Sequence, residues 1–161
     1  MPLLLFFIYF IIILWLYLGY TKVIKRANND MTSSALVDNF TVLIAARNEA
    51  ENLPKLLTSL QKQTISWQHG EIVIVLDRCN DNSYQIASDF QKKMPYLRII
   101  DHKEDPGNLS PKKAALIAAL DTISSEVILQ TDADIELPAG WIQSHLIYYQ
   151  ENTAAAFGLF N

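Results

Sequence analysis

The chain carries a single cysteine, Cys79, among 161 residues, and no charged side chain before Lys22. One thiol permits no internal disulfide, which excludes a disulfide-stapled scaffold and agrees with a reducing compartment. Glycine is sparse as well, with five in all. No Gly-x-Gly-x-x-Gly follows the first apolar run, and no Gly-x-x-x-x-Gly-Lys-Ser/Thr occurs anywhere, so neither a dinucleotide cradle nor a P-loop is present. Basic clusters are scarce too. Past Arg26, basic residues adjoin only at Lys92-Lys93 and Lys112-Lys113, and with Lys22, Lys25 and Arg26 set aside, ten basic side chains face 17 acidic ones. A nucleic-acid surface would be basic on one face, so no nucleic-acid partner is expected.

What is present divides unevenly. Half of the residues are hydrophobic and 19% are charged, the balance of a folding chain. Leu3 to Tyr20 is almost wholly Leu, Ile, Phe, Tyr and Trp, long enough at about 1.5 Å per residue to approach bilayer thickness. A cleaved signal peptide would need a basic start and a small-residue cleavage site, and neither is evident. Residues 1–21 are therefore expected to be a transmembrane anchor and 22–39 a basic and polar juxtamembrane linker. With Lys22, Lys25 and Arg26 directly after the apolar run, the expectation is a single-pass membrane protein whose globular part, 40–161, faces the cytoplasm.

From Phe40 onward, apolar runs alternate with helical patterns. Phe40–Ala46 is a continuous apolar run of the kind that both faces of a parallel sheet require. Leu53, Leu56, Leu57 and Leu60 then fall at helical spacing, with Asn52 as N-cap and Pro54 in the first turn. The pattern continues with a strand at Glu71–Leu76, a helix at Ser83–Lys92, a strand at Leu97–Asp101 and a helix opened by Ser110 and Pro111. On that helix Leu116, Ala119, Leu120 and Ile123 share one side. A fourth strand is expected at Glu126–Thr131, then a helical stretch with Trp141, His145 and Tyr149 at i+4, then a fifth strand at Ala154–Phe160. Such alternation implies an α/β layered fold with a mostly parallel sheet.

Carboxylates gather where these strands end: Glu49 after the first, Asp77 after the second, Asp101 after the third, and Asp132 with Asp134 after the fourth. Each alone reads as a turn residue or a helix cap. Together they should share one rim of the sheet, where open α/β folds bind ligands, and clustered carboxylates repel unless a cation or hydrogen-bond donors intervene. Thr131-Asp132-Ala133-Asp134 stands out, because hard cations such as Mg²⁺ or Mn²⁺ take oxygen ligands and keep positions open for phosphate.

Four segments, in order, resemble the inverting glycosyltransferases of family two, which have the GT-A fold and use nucleotide sugars. Val42-Leu43-Ile44-Ala45-Ala46-Arg47-Asn48-Glu49 is similar to the family's opening strand and its Asn-Glu turn. Val73 to Asp81 resembles the second strand with its aspartate, Pro111-Lys112-Lys113-Ala114-Ala115-Leu116 the Gly-Lys-x-x-Ala-Leu helix start, and Thr131 to Asp134 the Asp-x-Asp. The resemblance implies a GT-A-like, Rossmann-type fold and a donor that is a UDP-sugar. It places Ala46 and Glu49 around the nucleotide, Glu49 near the ribose or base, and Asp77 as acceptor for the uracil N–H. It brings Lys112 toward the nucleotide or its phosphates, Asp132 to the ribose or the metal, and makes Asp134 the principal ligand of Mn²⁺ or Mg²⁺. The implied reaction is direct displacement at the anomeric carbon by a glycan or lipid-linked acceptor.

The departures from the family pattern are Ala46 for a frequent proline, Arg78-Cys79-Asn80 for an Asp/Gly/Ser-rich turn, Pro111 for glycine and Ile117 for asparagine. The family's general base lies well downstream of the Asp-x-Asp, so no catalytic residue is assigned, and the chain is expected to be the donor-binding part of a longer enzyme, with little transfer activity alone. The alternative is a non-catalytic nucleotide-sugar-binding scaffold. A haloacid-type phosphatase also uses Asp-x-Asp, but after its first strand rather than its fourth.

Overall fold

The computed structural model describes residues 7–19, 21, 37, 39–147 and 149. The expected fifth strand at Ala154–Phe160 lies outside them. The chain divides into two compact units, Met1–Ala35 and Leu36–Asn161.

In the first unit, residues 7–19 are helical (α1). This corrects the expected anchor. Apolar composition extends over Leu3–Tyr20, whereas the described helical stretch 7–19 rises about 20 Å at 1.5 Å per residue, against about 30 Å of hydrocarbon. Among the described residues no helix is long and apolar enough to cross a membrane, so the single-pass, cytoplasm-facing placement does not stand.

The second unit is an open parallel sheet wrapped by helices. Its strands are β1 (Phe40–Ala46), β2 (Gly70–Asp77), β3 (Leu97–His102) and β4 (Val127–Asp132), in the order β3-β2-β1-β4 with every neighbouring pair parallel. The intervening helices are α2 (Leu53–Gln61), α3 (Ser83–Gln91) and α4 (Pro111–Leu120), and α5 (Trp141–Leu146) follows β4. The first four expected strands are present, each within one residue of its expected limits. The sheet grows outward from β1 through β2 to β3, then doubles back so that β4 lands on the other side of β1. Right-handed crossovers in opposite directions put their helices on opposite faces. Accordingly α2 and α3 share one face and α4 covers the other.

The pleat sorts the core between these faces. Phe40, Val42, Ile44, Ile72, Ile74 and Leu76 pack with Leu53, Leu56, Leu57 and Leu60 of α2, with Ala87 of α3, and with Trp141 and Ile142 of α5. Leu43, Val73 and Val75 face Ala115 and Ala119 of α4. These two alanines let α4 sit close to the sheet. The expected apolar side of α4 is only partly realised: Leu116 and Ile123 pack against this cluster, while Leu120 stays 45% exposed.

Local signals explain the element starts, with two differences. Ser110 caps α4 as expected, its hydroxyl accepting from the Lys113 amide at 3.4 Å, with Pro111 in the first turn. Asn52 does not cap α2 through its side chain; it donates instead to the Glu49 carboxylate at 2.8 Å. Tyr149 falls beyond α5, and its hydroxyl donates to Glu126 at 2.6 Å. At the amino end of β2, Gly70 is required by contact: a Cβ there would lie 2.2 Å from Phe40 Cζ.

Candidate donor-binding cleft

The sheet order reverses between β1 and β4, and parallel α/β sheets open a crevice outside the carboxyl ends of their strands at such a point. A cavity of about 470 Å³ occupies it. The six residues singled out from the sequence, Ala46, Glu49, Asp77, Lys112, Asp132 and Asp134, all line it, together with Ala45, Arg47, Ser110, Pro111 and Ala133. Asp101 does not. It pairs with Leu76 in register, so the pleat turns its side chain to the other face from Asp77, where it meets Lys103 at 2.9 Å.

Asp77 ends β2 and is 3% exposed. Arg78 grips it as a fork, Nε donating to Oδ1 at 2.8 Å and Nη2 to Oδ2 at 2.9 Å, and Arg47 Nη1 lies 3.9 Å from Oδ2. The hydrogen bond from Arg78 holds the Asp77 carboxyl below its ordinary range against the opposing effect of burial, with further help from the charges of Arg78, Arg47 and His102. The same contact raises the Arg78 guanidinium. His102, the register partner of Asp77 on β3, is 8% exposed and its Nε2 has no partner among the described residues.

Opposite Asp77, Lys112 in the first turn of α4 donates to Asp132 at 2.5 Å across the mouth of the cavity. Both side chains are more than half exposed, so the pair is solvated. Asp132 is opposite Ala45 in register, and Asp134 lies in the turn two residues on. Asp134 is exposed and makes no ion pair among the described residues. No group of three or more His, Cys, Asp or Glu that could hold a metal ion occurs among the described residues. Asp132 and Asp134 thus form a two-carboxylate edge, which suits a cation that completes its shell with water and phosphate oxygens.

The two loops beneath the cavity are laced together by groups the sequence reading passed over. Asn48 is left-handed (φ 57°), a conformation Asn tolerates, and its Oδ1 accepts from the Asn80 amide at 2.8 Å. The Glu49 amide donates to Ser83 Oγ at 2.9 Å. Asp81 accepts from the Ala50 and Ser83 amides, both at 3.0 Å. Burial pushes the Asp81 carboxyl up, but these hydrogen bonds outweigh it and leave it lowered. Cys79 joins the same lacing, its Sγ accepting from the Asn48 amide at 3.5 Å. Asp81 was visible in the sequence only as a residue before a helix; one partner, the Ser83 amide, is local, and the other, the Ala50 amide, comes from a loop 31 residues earlier.

A doubly wound parallel sheet with an acidic and basic cleft at its switch point is the arrangement in which open α/β domains bind ligands. Residues 41–160 match the model of glycosyl transferase family 2, and the chain belongs to that family. It is 30% identical over 123 residues to a 4,4'-diaponeurosporenoate glycosyltransferase of Staphylococcus haemolyticus, covering 75% of this chain and 31% of that protein. It is 26% identical over 103 residues to glycosyltransferase AglE of Haloferax volcanii, covering 64% and 33%. The chain therefore spans about a third of the length of these relatives. Among solved structures, S. aureus TarS 1-349 in complex with UDP superposes with a TM-score of 0.59 at 25% identity, over 66% of this chain and 30% of that one. A Pyrobaculum calidifontis mannosyltransferase in complex with GDP-mannose and Mn²⁺ shares the fold, with a TM-score of 0.61 at 23% identity over 74% and 36%.

Proposed function

We propose that the cleft binds a nucleotide-diphosphate sugar, with UDP as the nucleotide, together with Mn²⁺ or Mg²⁺, as the donor half of an inverting sugar transfer to a glycan or lipid acceptor. The observation that carries this reading is the convergence of Asp77, Lys112, Asp132 and Asp134 on one cavity at the switch point. Membership of glycosyl transferase family 2 and the likeness to a UDP-bound TarS structure support it. In this reading Asp77 faces the base and Glu49 the ribose or base, while Ala46 leaves room beside them. Lys112 sits in the first turn of α4, where the free amides of the helix also favour anions, and it turns from Asp132 to the diphosphate when the donor arrives. Asp134 and Asp132 would hold the cation, which when bound would supply charge neutralisation for a diphosphate leaving group. The described cavity supplies the leaving-group side of the reaction, and no general base is assigned among its residues.

Titration calorimetry of the full 161-residue chain with UDP tests the reading. Binding is expected to be strengthened by Mn²⁺ in the wild type, and Asp134→Asn is expected to remove that strengthening. Equal UDP affinity with and without Mn²⁺ in the wild type would sink the metal role, and an absence of UDP binding would sink the donor site itself.

A further inference from the structure

Residues 135–140, which join the Asp134 turn to α5, belong to no helix or strand. Such a stretch is held by whatever it is bonded to, and here the partner is the carboxyl end of α2, 75 residues earlier in sequence. Ser59 Oγ accepts from the Leu137 amide at 3.1 Å and donates to the Leu56 carbonyl at 2.7 Å. Gln63 Nε2 donates to the Pro138 carbonyl at 2.8 Å and to the Ser59 carbonyl at 3.3 Å, while its Oε1 accepts from the Ile142 amide at 3.1 Å. The Thr64 amide adds a bond to the Ala139 carbonyl at 2.9 Å. Ile142 lies in the first turn of α5, where amides have no acceptor within the helix, and Gly140 supplies no side-chain cap. Gln63 therefore caps α5 from another element. Ser59 and Gln63 are 4% and 8% exposed, so these bonds lie out of water, where a missing partner is costly.

We propose, building on the donor-site reading above, that Gln63 with Ser59 is a positioning residue for the cation edge: by fastening residues 137–142 it sets where Asp134 stands relative to Asp132. Ala133 and Leu137 bracket the Asp134 stretch, and both are buried in the larger core. The stretch is thus anchored on either side while the Asp134 carboxylate stays exposed to the cavity. Two neighbouring carboxylates repel, and they gather a cation well only when their separation is fixed beforehand; otherwise the ordering of the turn is charged against binding. Neither Gln63 nor Ser59 lines the cavity, so their effect reaches the cation only through the loop. The same helix is tied to the cavity at its amino end, where the Leu53 amide donates to the Glu49 carbonyl at 2.9 Å and Asn52 to the Glu49 carboxylate at 2.8 Å. One rigid element therefore holds Glu49 at its start and the loop after Asp134 at its end.

The test measures the UDP affinity of the full chain by calorimetry with and without Mn²⁺, and amide hydrogen exchange without metal. Gln63→Met keeps the length and the apolar stem but can neither donate to Pro138 nor accept from Ile142. Ser59→Ala, which strands the Leu137 amide, is the second variant. Arg98→Met is the control, because Arg98 bridges Glu71 and Thr122 at the opposite, amino-terminal edge of the sheet, and its loss destabilises the same domain. Gln63→Met is expected to lose about tenfold of the strengthening that Mn²⁺ gives to UDP binding, the lower end of the roughly 10- to 100-fold cost of removing groups that support metal ligands. Ser59→Ala is expected to lose a smaller part. Both should keep the wild-type UDP affinity without Mn²⁺ and exchange the Leu137 and Ile142 amides faster, and Arg98→Met should keep the full Mn²⁺ effect. Full Mn²⁺ strengthening in Gln63→Met, or in Ser59→Ala should the first variant not fold, overturns the positioning role and leaves the donor site standing. A loss equal with and without Mn²⁺, or one matched by Arg98→Met, is lost stability alone and overturns it too. A wild type whose UDP binding ignores Mn²⁺ overturns the metal reading and this role together.

Discussion

At the scale of single residues, Asp77 is where burial and charge are most tightly coupled. Its carboxyl is lowered from an ordinary value of 3.8, foremost by the Arg78 hydrogen bond, while the unfolded chain titrates near that ordinary value. A group lowered in the folded state stabilises above its unfolded pKa, and the contribution disappears as pH falls through its folded pKa. Urea unfolding of the wild type should therefore lose stability steeply below about pH 3.8. Asp77→Asn should be less stable at neutral pH, because Arg78 is left without its anion, but should show a shallower loss from pH 4 to 2. Parallel pH profiles for the two proteins would show that Asp77 does not carry this linkage. Asp81 acts through its acceptor capacity: Asp81→Ala strands the Ala50 and Ser83 amides, with an expected cost of about 1 to 3 kcal/mol. Faster hydrogen exchange at those two amides is the local readout, and unchanged exchange would mean that the lacing is incidental.

At the scale of elements, the two central strands were legible because a parallel strand buried on both faces must be mainly apolar: Ile72–Leu76 is apolar throughout, and Phe40–Ala46 is interrupted only by Thr41. The start of α4 was legible from Ser110 and Pro111, whose preferences are local. The described helical stretch of α1 covers less than the apolar run Leu3–Tyr20, and hydropathy, which measures composition, does not say which of those residues a helix takes in. Leu120 was misplaced for a related reason: α4 contacts the sheet through a narrow alanine seam, and a pattern of large apolar residues does not show which row approaches closest. In the cleft, the residue types and the strand ends that bear them were readable. The Asp77–Arg78 fork and the Asn48, Asp81 and Ser83 lacing were not, because each depends on a backbone turn or on loops distant in sequence. Gly70 is a similar case, readable as a strand start but not as a contact. Gly70→Ala pushes a methyl group into Phe40, itself 3% exposed and packed on Trp67 at 5.7 Å, and should cost about 1 to 3 kcal/mol. Phe40→Leu in the same background should recover part of that loss, and no recovery would place the strain elsewhere.

At the scale of the whole molecule, all eleven residues around the cavity fall between Ala45 and Asp134, inside the second compact unit, and so do both packed cores. The stability of that unit and its ligand response should then be carried by the same residues. A ligand that binds only the folded state adds about 2.7 kcal/mol at a concentration one hundred times its Kd, and for a domain of this size each kcal/mol raises the thermal midpoint by roughly 2 to 8 °C. UDP with Mn²⁺ at that ratio should therefore raise the midpoint by several degrees, and Asp134→Asn should shrink the shift when Mn²⁺ is present. Residues 36–161 expressed alone should unfold in one cooperative step and show the same shift as the full chain, since no lining residue has been removed. Scanning calorimetry of the two proteins, each with and without ligand, separates the alternatives. A shorter chain that folds cooperatively but has lost the ligand-induced shift would show that the first unit contributes to donor binding, and the cleft would have to be redrawn to include it.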